Sequence, residues 1–315
     1  MSTWSELAVD CAVAASVPVL HRDQLHVDPE LRPLLAAAGL RELEDFLAFS
    51  GGSVVSRRRK RDVRRLELEV EGERRRYFLK QGRREALSAT FAALRLRRPP
   101  RAAGLRERQL VERFRTHGIP VMRPVAWGER RLLGWPVSGF ILVEEVVGRR
   151  FIDAYRESSL RARRRLLRAH GALMGRLHCL GIDSKVRPAD LICATDEISG
   201  SQPNLVVIDR EYGAREPIQL SGEQRGQGLA DIWVKGALSM RLSEAGQRSE
   251  LLAFLAGYLR ELYLDTRPER HAEAERLAGQ VTARACEIVR RDGRFESLRP
   301  GFEKWCGAGS PSKRA

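Results

Sequence analysis

The amino-acid sequence predicts an α+β fold in two lobes, a small antiparallel β lobe followed by a larger helical lobe. Apolar and charged side chains alternate within residues 52–81, which is the period of half-exposed strands. Beyond Phe151, apolar side chains recur at the spacing of amphipathic helices, most clearly in residues 160–180. With 315 residues, the chain is long enough to bury two joined cores.

Changes in this periodicity divide the chain into four predicted segments. Residues 1–50 form an N-terminal helical extension, because residues 30–49 carry a helical apolar pattern. Residues 51–147 form the small β-rich lobe, with a meander at 52–81, helices at 84–98 and 105–117, and strands at 120–127 and 139–147. Residues 148–306 form the helical lobe, which includes a hairpin at 191–209, and residues 307–315 form a disordered tail.

Composition favours anionic partners and disfavours a membrane-spanning or secreted protein. The formal net charge is +15, and arginine supplies almost all of the positive charge, since the chain has only six lysines. Such an excess favours anionic partners, namely phosphates, anionic lipid or nucleic acid. No run of apolar residues is long enough for a transmembrane helix, and the N-terminus lacks the basic and apolar regions of a secretory signal. The five cysteines are scattered without metal-ligand spacing, which predicts a reduced cytoplasmic protein.

Three charged residues in a fixed order along the chain form the most informative pattern. Lys80 ends a predicted strand, Glu107 lies on a later helix, and Asp209 ends a short apolar strand far downstream. A lysine can hold phosphates, a glutamate can hold that lysine, and an aspartate can ligate Mg²⁺ through hard oxygen. This order is typical of kinase-type phosphotransferases. Glu112 is a rival to Glu107 as the partner of the lysine.

The segments around these residues resemble the Kdo/heptose family of lipopolysaccharide core kinases, which are relatives of the protein kinases. The motifs are individually loose, but their order and spacing agree over about residues 30–245. They are Tyr77–Lys80, Gly118–Gly128, Phe140–Glu145, Met174–Ile182, Val207–Asp209 and Leu229–Ile232.

The resemblance implies a two-lobed protein-kinase-like fold that uses ATP and Mg²⁺. Lys80 would bind the α- and β-phosphates, Glu107 would hold Lys80, and Asp209 would ligate the metal. The backbone of Glu144 and Glu145 would contact adenine, with the small lobe as the nucleotide-binding lobe. Asp231 would support the catalytic loop from a helix of the large lobe.

The glycine-rich loop that covers phosphates in protein kinases has no clear counterpart. Only Gly51 and Gly52 precede the first predicted strand, so the arginine-rich residues 53–61 would have to cover the phosphates. Runs of arginine such as 57–61 and 161–168 are most often solvated faces. At an anionic glycolipid, the same runs could supply docking charge.

The predicted catalytic loop, residues 183–192, departs from the kinase pattern. If Asp190 stands for the metal-binding asparagine, the catalytic aspartate is replaced by Lys185, and in the other register it is replaced by Val186. Three interpretations follow. Asp183 accepts the hydroxyl proton from a rearranged loop, or Asp190 does so while Asp209 holds the metal, or the chain is a pseudokinase.

We therefore expect an ATP-dependent phosphotransferase that acts on a hydroxyl group, on a sugar of lipopolysaccharide or a similar anionic glycolipid. The alternative is a pseudokinase-like binding or regulatory module without the usual catalytic aspartate. Nucleic acid is a disfavoured partner because the basic sequence has no nucleic-acid motif and few interleaved aromatic residues. The expected location is the cytoplasm, with peripheral contact at the inner face of the membrane through the arginine-rich surface as a further expectation.

Overall fold

The computed structural model describes residues 23–58, 61–70, 72–83, 91, 93–95, 97, 99–194, 203–209, 220–241, 244–262, 267–300 and 302. Within them the predicted α+β, two-lobed kinase-like architecture is confirmed, with an antiparallel sheet in the first half and helices in the second. The predicted tail at 307–315 and most of the predicted helix at 84–98 lie outside the described residues.

The small lobe is built on an antiparallel sheet with the strand order β1-β5-β6-β4-β3-β2. Its strands are β1 (Gln24–Val27), β2 (Ser53–Arg58), β3 (Arg61–Val70), β4 (Glu73–Gly82), β5 (Pro124–Leu132) and β6 (Trp135–Glu144). The meander predicted at residues 52–81 corresponds to β2, β3 and β4. Since side chains alternate across a strand, Tyr77 and Leu79 enter the apolar cluster on one face of the sheet, while Phe78 packs on the opposite face.

The N-terminal region differs from the single helical segment that the sequence predicts. Residues 30–49 form two short helices, α1 (Arg32–Ala37) and α2 (Leu43–Ala48), with Gly39 at a positive φ of 79° between them. Ahead of them, β1 pairs with β5 at the edge of the sheet. The four residues of β1 are too few to show the alternation of apolar and polar side chains that predicts a strand, so the sequence does not predict it. The segment boundaries at residues 50, 147 and 306 stay predictions.

One further helix, α3 (Ala103–Thr116), packs against the sheet and corresponds to the predicted helix at 105–117. Gly104 makes its close approach possible, since a Cβ there would stand 2.5 Å from the carbonyl oxygen of Phe140. Beneath α3, Val111, Met122 and Ile141 form a small apolar cluster. The approach brings the buried face of α3 to the level of β4 and β6.

Helices make up most of the large lobe, which has one continuous apolar core. They are α4 (Phe151–Glu157), α5 (Leu160–Cys179), α6 (Gly222–Met240), α7 (Glu244–Leu262) and α8 (Arg267–Arg291), with 3₁₀ turns at Pro188–Asp190 and Gly293–Leu298. A small sheet contains β7 (Arg149–Arg150), β8 (Leu191–Cys193) and β9 (Leu205–Val207), in which β8 and β9 form the predicted hairpin. None of the helices in the described ranges combines the length and apolar character that crossing a bilayer requires.

Cys179 and Cys193 are free thiols, the first exposed and the second buried. That the whole chain is reduced stays a prediction.

Backbone contacts between the lobes fix the position of β9 relative to the small lobe. The Met122 N–H donates to the carbonyl oxygen of Val207 at 2.9 Å, and the Val207 N–H donates to that of Pro120 at 3.0 Å. The chain then leaves β9 at Ile208 and Asp209, directly opposite the face of the sheet that carries Lys80.

Candidate active site

Lys80 lies at the centre of the cleft between the lobes. It belongs to β4, and its side chain is 9% exposed. The ammonium Nζ lies 2.5 Å from Oε1 of Glu107, 3.2 Å from Oδ1 of Asp209 and 3.3 Å from the carbonyl oxygen of Ile208. A buried ammonium is stable only with such partners, because an unpaired buried charge is costly.

Glu107 is held by the buried face of α3. Its side chain is 1% exposed, and Leu110 and Phe114 follow on the same face at helical spacing. The carboxylate accepts from Lys80 through Oε1 and from Arg61 Nη2 through Oε2, the latter at 3.3 Å. Glu112, the rival partner in the sequence, is exposed on the other side of the helix.

Asp209 follows β9 and closes the cleft from the large lobe. Its side chain is 51% exposed, and Oδ1 lies 3.9 Å from Nη2 of Arg61 as well as 3.2 Å from Lys80. The two cations therefore lie between a fully buried carboxylate and a solvent-accessible one. A polyanion entering the cleft could take the place of Asp209 at these cations, while Glu107 would keep them in position.

Residues 181–190 form the loop in which the sequence places the candidate catalytic carboxylates. Val186 is buried, and its carbonyl oxygen lies 2.8 Å from Nε2 of His170, which fixes the loop on α5. Asp183 is half-buried, and its carboxylate has no hydrogen-bond or ion-pair partner among the residues that the structure describes. Of the two carboxylates considered for the proton transfer, Asp183 and Asp190, it is therefore the less engaged.

Lys185 is a cation in the same loop, paired with Asp231 on α6 at 2.5 Å. The pair is partly exposed, so its contribution to stability is small, on the order of 1 kcal/mol or less. Asp231 thus contacts the loop, as the resemblance implies for its role, and the contact is made to a lysine side chain.

Asp190 is buried and already engaged. Its carboxylate accepts from the backbone N–H of Arg187 at 3.1 Å and from the Arg187 guanidinium at 3.1 and 2.9 Å. Its carbonyl oxygen accepts from the N–H of Ile208 at 2.9 Å, which places Asp190 beside the segment that carries Asp209. The hydrogen bond to Asp190 raises the pKa of Arg187 above its ordinary value, and the negative charges of Asp190 and Asp209 act in the same direction.

Glu144 and Glu145 lie where β6 leaves the small lobe. The N–H of Glu144 donates to the carbonyl oxygen of Arg123 at 2.9 Å, and the N–H of Glu145 donates to that of Arg76 at 2.8 Å. Because both N–H groups are engaged within the protein, an adenine would have to be recognised here through other groups, such as the carbonyl oxygens.

Two arginines belong to the site although the sequence gives them no individual role. Arg61 belongs to the arginine run 57–61, for which the sequence predicts either a solvated face or a role in covering the phosphates. Arg187 belongs to the predicted catalytic loop, residues 183–192. In a chain this rich in arginine, composition cannot distinguish a guanidinium in a cleft from one in solvent. A signal for Arg61 existed, since the residue starts the strand that pairs with the strand of Lys80.

Two carboxylates of the site, those of Asp209 and Asp190, have the oxygen ligands that Mg²⁺ prefers. Among the described residues, no group of three or more acidic, histidine or cysteine side chains could hold a metal ion. Magnesium in phosphotransferases needs fewer protein ligands, since substrate phosphates and waters complete its shell. The solvent-accessible carboxylate of Asp209 could bind Mg²⁺ in its present position. The carboxylate of Asp190 could do so only after its ion pair with Arg187 is broken.

His178 near the end of α5 is a packing residue. It is buried, and its Nδ1 lies 2.8 Å from the hydroxyl oxygen of Tyr258. Burial lowers the pKa of His178 from 6.5 to about 4, with a smaller contribution from the charge of Arg225. The imidazole is therefore neutral at physiological pH.

Comparison with known proteins gives one family and one fold. Residues 45–211 match the model of the lipopolysaccharide kinase (Kdo/WaaP) family. The solved structure "WaaP in complex with acyl carrier protein" is 24% identical in sequence, with a TM-score of 0.51, over 82% of this chain and 99% of that chain. Because the identity is only 24%, this match shows that the two chains share a fold and nothing more. No curated protein matches the sequence significantly.

Proposed function

Because the chain belongs to the lipopolysaccharide kinase (Kdo/WaaP) family, we propose that it transfers the γ-phosphoryl group of ATP to a hydroxyl group. The acceptor is a sugar of lipopolysaccharide or of a similar anionic glycolipid. The observation that carries the proposal is the position of the Lys80 ammonium, between the buried Glu107 and the accessible Asp209.

Lys80 and Arg61 would bind the triphosphate, with Glu107 holding both cations in place through its two oxygens. Phosphoryl transfer depends mainly on positioning and on neutralising charge, and both cations serve these ends. Mg²⁺, held by Asp209 and by Asp190 after its release from Arg187, would neutralise charge on the phosphate oxygens.

The acceptor hydroxyl needs a group that takes its proton. Asp183 has the available carboxylate, whereas the carboxylate of Asp190 is bound to Arg187. A carboxylate in hydrogen-bond reach of the hydroxyl typically contributes about 10²–10⁴ in rate. We assign the proton transfer to Asp183 and metal binding to Asp209 and Asp190.

Contact with the anionic glycolipid is proposed to take place at the membrane surface, with the arginine-rich surface as the region of positive charge. The exposed side chains of Arg57 and Arg58 lie on β2 near the entrance of the cleft. The protein would then act as a peripheral protein at the inner face of the membrane, where ATP is available.

The test is transfer of ³²P from labelled ATP to a lipopolysaccharide core saccharide, compared between the wild type and Lys80→Met. Lys235→Met is the matched control, because Lys235 is an exposed lysine on α6 whose charge acts on Asp292 and not on Glu107 or Asp209. Transfer by the wild type and the control, with loss in Lys80→Met, supports the proposal. Equal transfer by all three proteins, or transfer by none with any acceptor, contradicts it.

A second candidate, a nucleotide-binding module without turnover, is favoured by one observation. Lys185 occupies the position of the catalytic aspartate in one register, and it forms an ion pair with Asp231. The charge-reversed variant Lys185→Asp/Asp231→Lys keeps this pair and places a carboxylate in the loop. Transfer that appears only in this variant would assign the natural chain to the pseudokinases.

A further inference from the structure

The hairpin between β5 and β6 carries an exposed apolar tip. Leu132, Leu133 and Trp135 form this tip, and they are 65%, 79% and 45% exposed. Monomeric proteins rarely cluster large apolar side chains in water, and such patches usually mark interaction sites. Two exposed leucines and an exposed tryptophan on one turn therefore indicate a site that binds a partner.

The backbone of the tip makes this choice of residues more informative. The loop has two residues, Leu133 and Gly134, and both have positive φ values, 49° and 81°. Such turns strongly favour asparagine, aspartate or glycine, and a leucine there is strained by about 1–2 kcal/mol. A sequence that needed only to close the hairpin would be more stable with asparagine at this position.

The tip is also held rigidly. The side chain of Arg131 is almost completely buried, and it donates to the carbonyl oxygen of Gly134 at 2.7 Å and to that of Pro100 at 2.9 Å. Its Nε lies 2.6 Å from the buried carboxylate of Glu129. The strained turn is thus fixed from inside, which keeps the apolar side chains directed outwards.

The hairpin extends beyond the rest of the sheet. The pairing between β4 and β6 ends at Gly82 and Gly139, whereas β5 and β6 remain paired as far as Leu132 and Trp135. Four residues of strand correspond to about 13 Å. The tip therefore projects past the other described strands by slightly more than the roughly 5–10 Å to which apolar side chains enter a bilayer interface, so it can reach that depth while the arginines stay at the headgroups.

Exposed arginines lie on one side of the hairpin's base, along the neighbouring strands of the sheet. Arg58 pairs with Arg61, Arg61 pairs with Gly82, and Gly82 pairs with Gly139, so these residues share one level of the sheet. Arg57, Arg58 and Arg83 are exposed at this level, and only Asp62 among their described partners offsets their charge. An apolar tip that projects beyond a row of exposed arginines matches a membrane surface, in which anionic headgroups lie outside the acyl chains.

We infer that this end of the small lobe docks on an anionic lipid bilayer, with the apolar tip inserted and the arginines at the headgroups. The inference deepens the proposed function and rests on it for the nature of the acceptor. Lys80 lies two residues before Gly82, about 7 Å along β4 from the same level. Docking in this orientation would bring the entrance of the cleft close to lipid-linked sugars.

The test is flotation with phosphatidylcholine vesicles, with and without phosphatidylglycerol, in the absence of ATP and acceptor. We expect the wild type to float only with anionic vesicles. Leu133→Asn and Trp135→Gln should weaken binding about tenfold each. Leu133→Asn should keep or raise the melting temperature, because asparagine suits the left-handed turn, so its loss of binding cannot come from unfolding.

Leu252→Asn is the matched control, because Leu252 is an exposed leucine on α7 in the other lobe, and its binding should equal that of the wild type. Equal flotation of the wild type and Leu133→Asn, or equal binding to neutral vesicles, would overturn the inference. So would tight binding of single-stranded RNA that both tip variants lose. Transfer to a soluble core saccharide, measured separately, should be unchanged in the tip variants, and its failure in all proteins would refute only the proposed function.

Discussion

Nζ of Lys80 on β4 and Oε1 of Glu107 on α3 are 2.5 Å apart inside the small lobe, although 27 positions separate the two residues. Glu107 is almost completely buried, and Asp209 reaches the same ammonium from the large lobe. The cation therefore links two elements of one lobe to the first residues after β9 in the other.

Replacing Lys80 by methionine should abolish transfer and destabilise the small lobe. Loss of one partner from a buried ion pair typically costs about 3–5 kcal/mol, because the remaining charge is unpaired. Arg61 also contacts Glu107 and should offset part of this loss. Urea denaturation should show a lower free energy of unfolding, and the double variant Lys80→Met/Glu107→Gln should recover part of it. If the double variant is less stable than Lys80→Met by the full effect of Glu107→Gln, the two side chains are not coupled.

Replacing Asp183 by asparagine should lower kcat by about 10²–10⁴, as expected for loss of a general base. The melting temperature should not change, because the Asp183 carboxylate has no partner in the described part of the chain. Single-turnover transfer and thermal unfolding measure the two effects.

The companion variant is Asp190→Asn. Here we expect a lower melting temperature as well as lower activity, because the carboxylate holds Arg187 and caps a 3₁₀ turn. An unchanged kcat in Asp183→Asn would exclude Asp183 as the base and leave Asp190 as the candidate.

Arg61 should act on the nucleotide. Its guanidinium lies 3.3 Å from Glu107 and 3.9 Å from Asp209, so it faces the position assigned to the phosphates. Arg61→Met should raise KM for ATP about tenfold, the value of one charge-assisted hydrogen bond. Arg74→Met is the control, because Arg74 is exposed at the end of β4 far from Lys80, and with a soluble acceptor its KM should match that of the wild type. A rise of equal size in both variants would mean that the effect is one of general charge.

His178 should make stability depend on pH. The unfolded histidine takes up a proton near pH 6.5, whereas in the folded protein burial lowers the pKa to about 4. The unfolded state thus binds more protons between these values, so the free energy of unfolding falls as pH decreases from about 6.5 to 4. The full effect is about 3 kcal/mol.

Urea denaturation at several pH values in this range measures the slope. His178→Gln should flatten it, and His117→Gln, at an exposed histidine, should leave it unchanged. A slope that persists in His178→Gln would show that other groups dominate the acid response.

Lys80 and Asp209 can be recognised in the sequence because each follows an apolar, strand-like segment. Glu107 lies between two arginines, and the sequence indicates it only as a carboxylate that a buried lysine would need. The choice between Glu107 and Glu112 was different, since both lie on the same predicted helix. Packing decides it, because α3 buries the face that carries Glu107 and exposes the other.

The arginines show the opposite case. Arg61 enters the cleft. Arg187 holds the buried Asp190, and Arg131 fixes the turn of the hairpin between β5 and β6. Many neighbouring arginines are exposed to solvent. Their residue type carries no information in a chain with this composition. The short strand β1 and the division of residues 30–49 into two helices were likewise invisible to periodicity.

The sequence by itself determined the two lobes, the family resemblance and two of the charges in the cleft, Lys80 and Asp209, because alternation and helical spacing are properties of neighbouring residues. Tertiary structure alone decided which carboxylates meet which cations, that Arg187 holds Asp190, and that an apolar turn projects beyond the sheet. Lys80 meets Glu107 and Asp209 from far apart in the chain, which requires the close approach of α3 and the contact between the lobes. The pair of Arg187 with Asp190 and the projecting turn are local in the chain, but they depend on the conformation of a loop and on the register of the strands, which periodicity does not give.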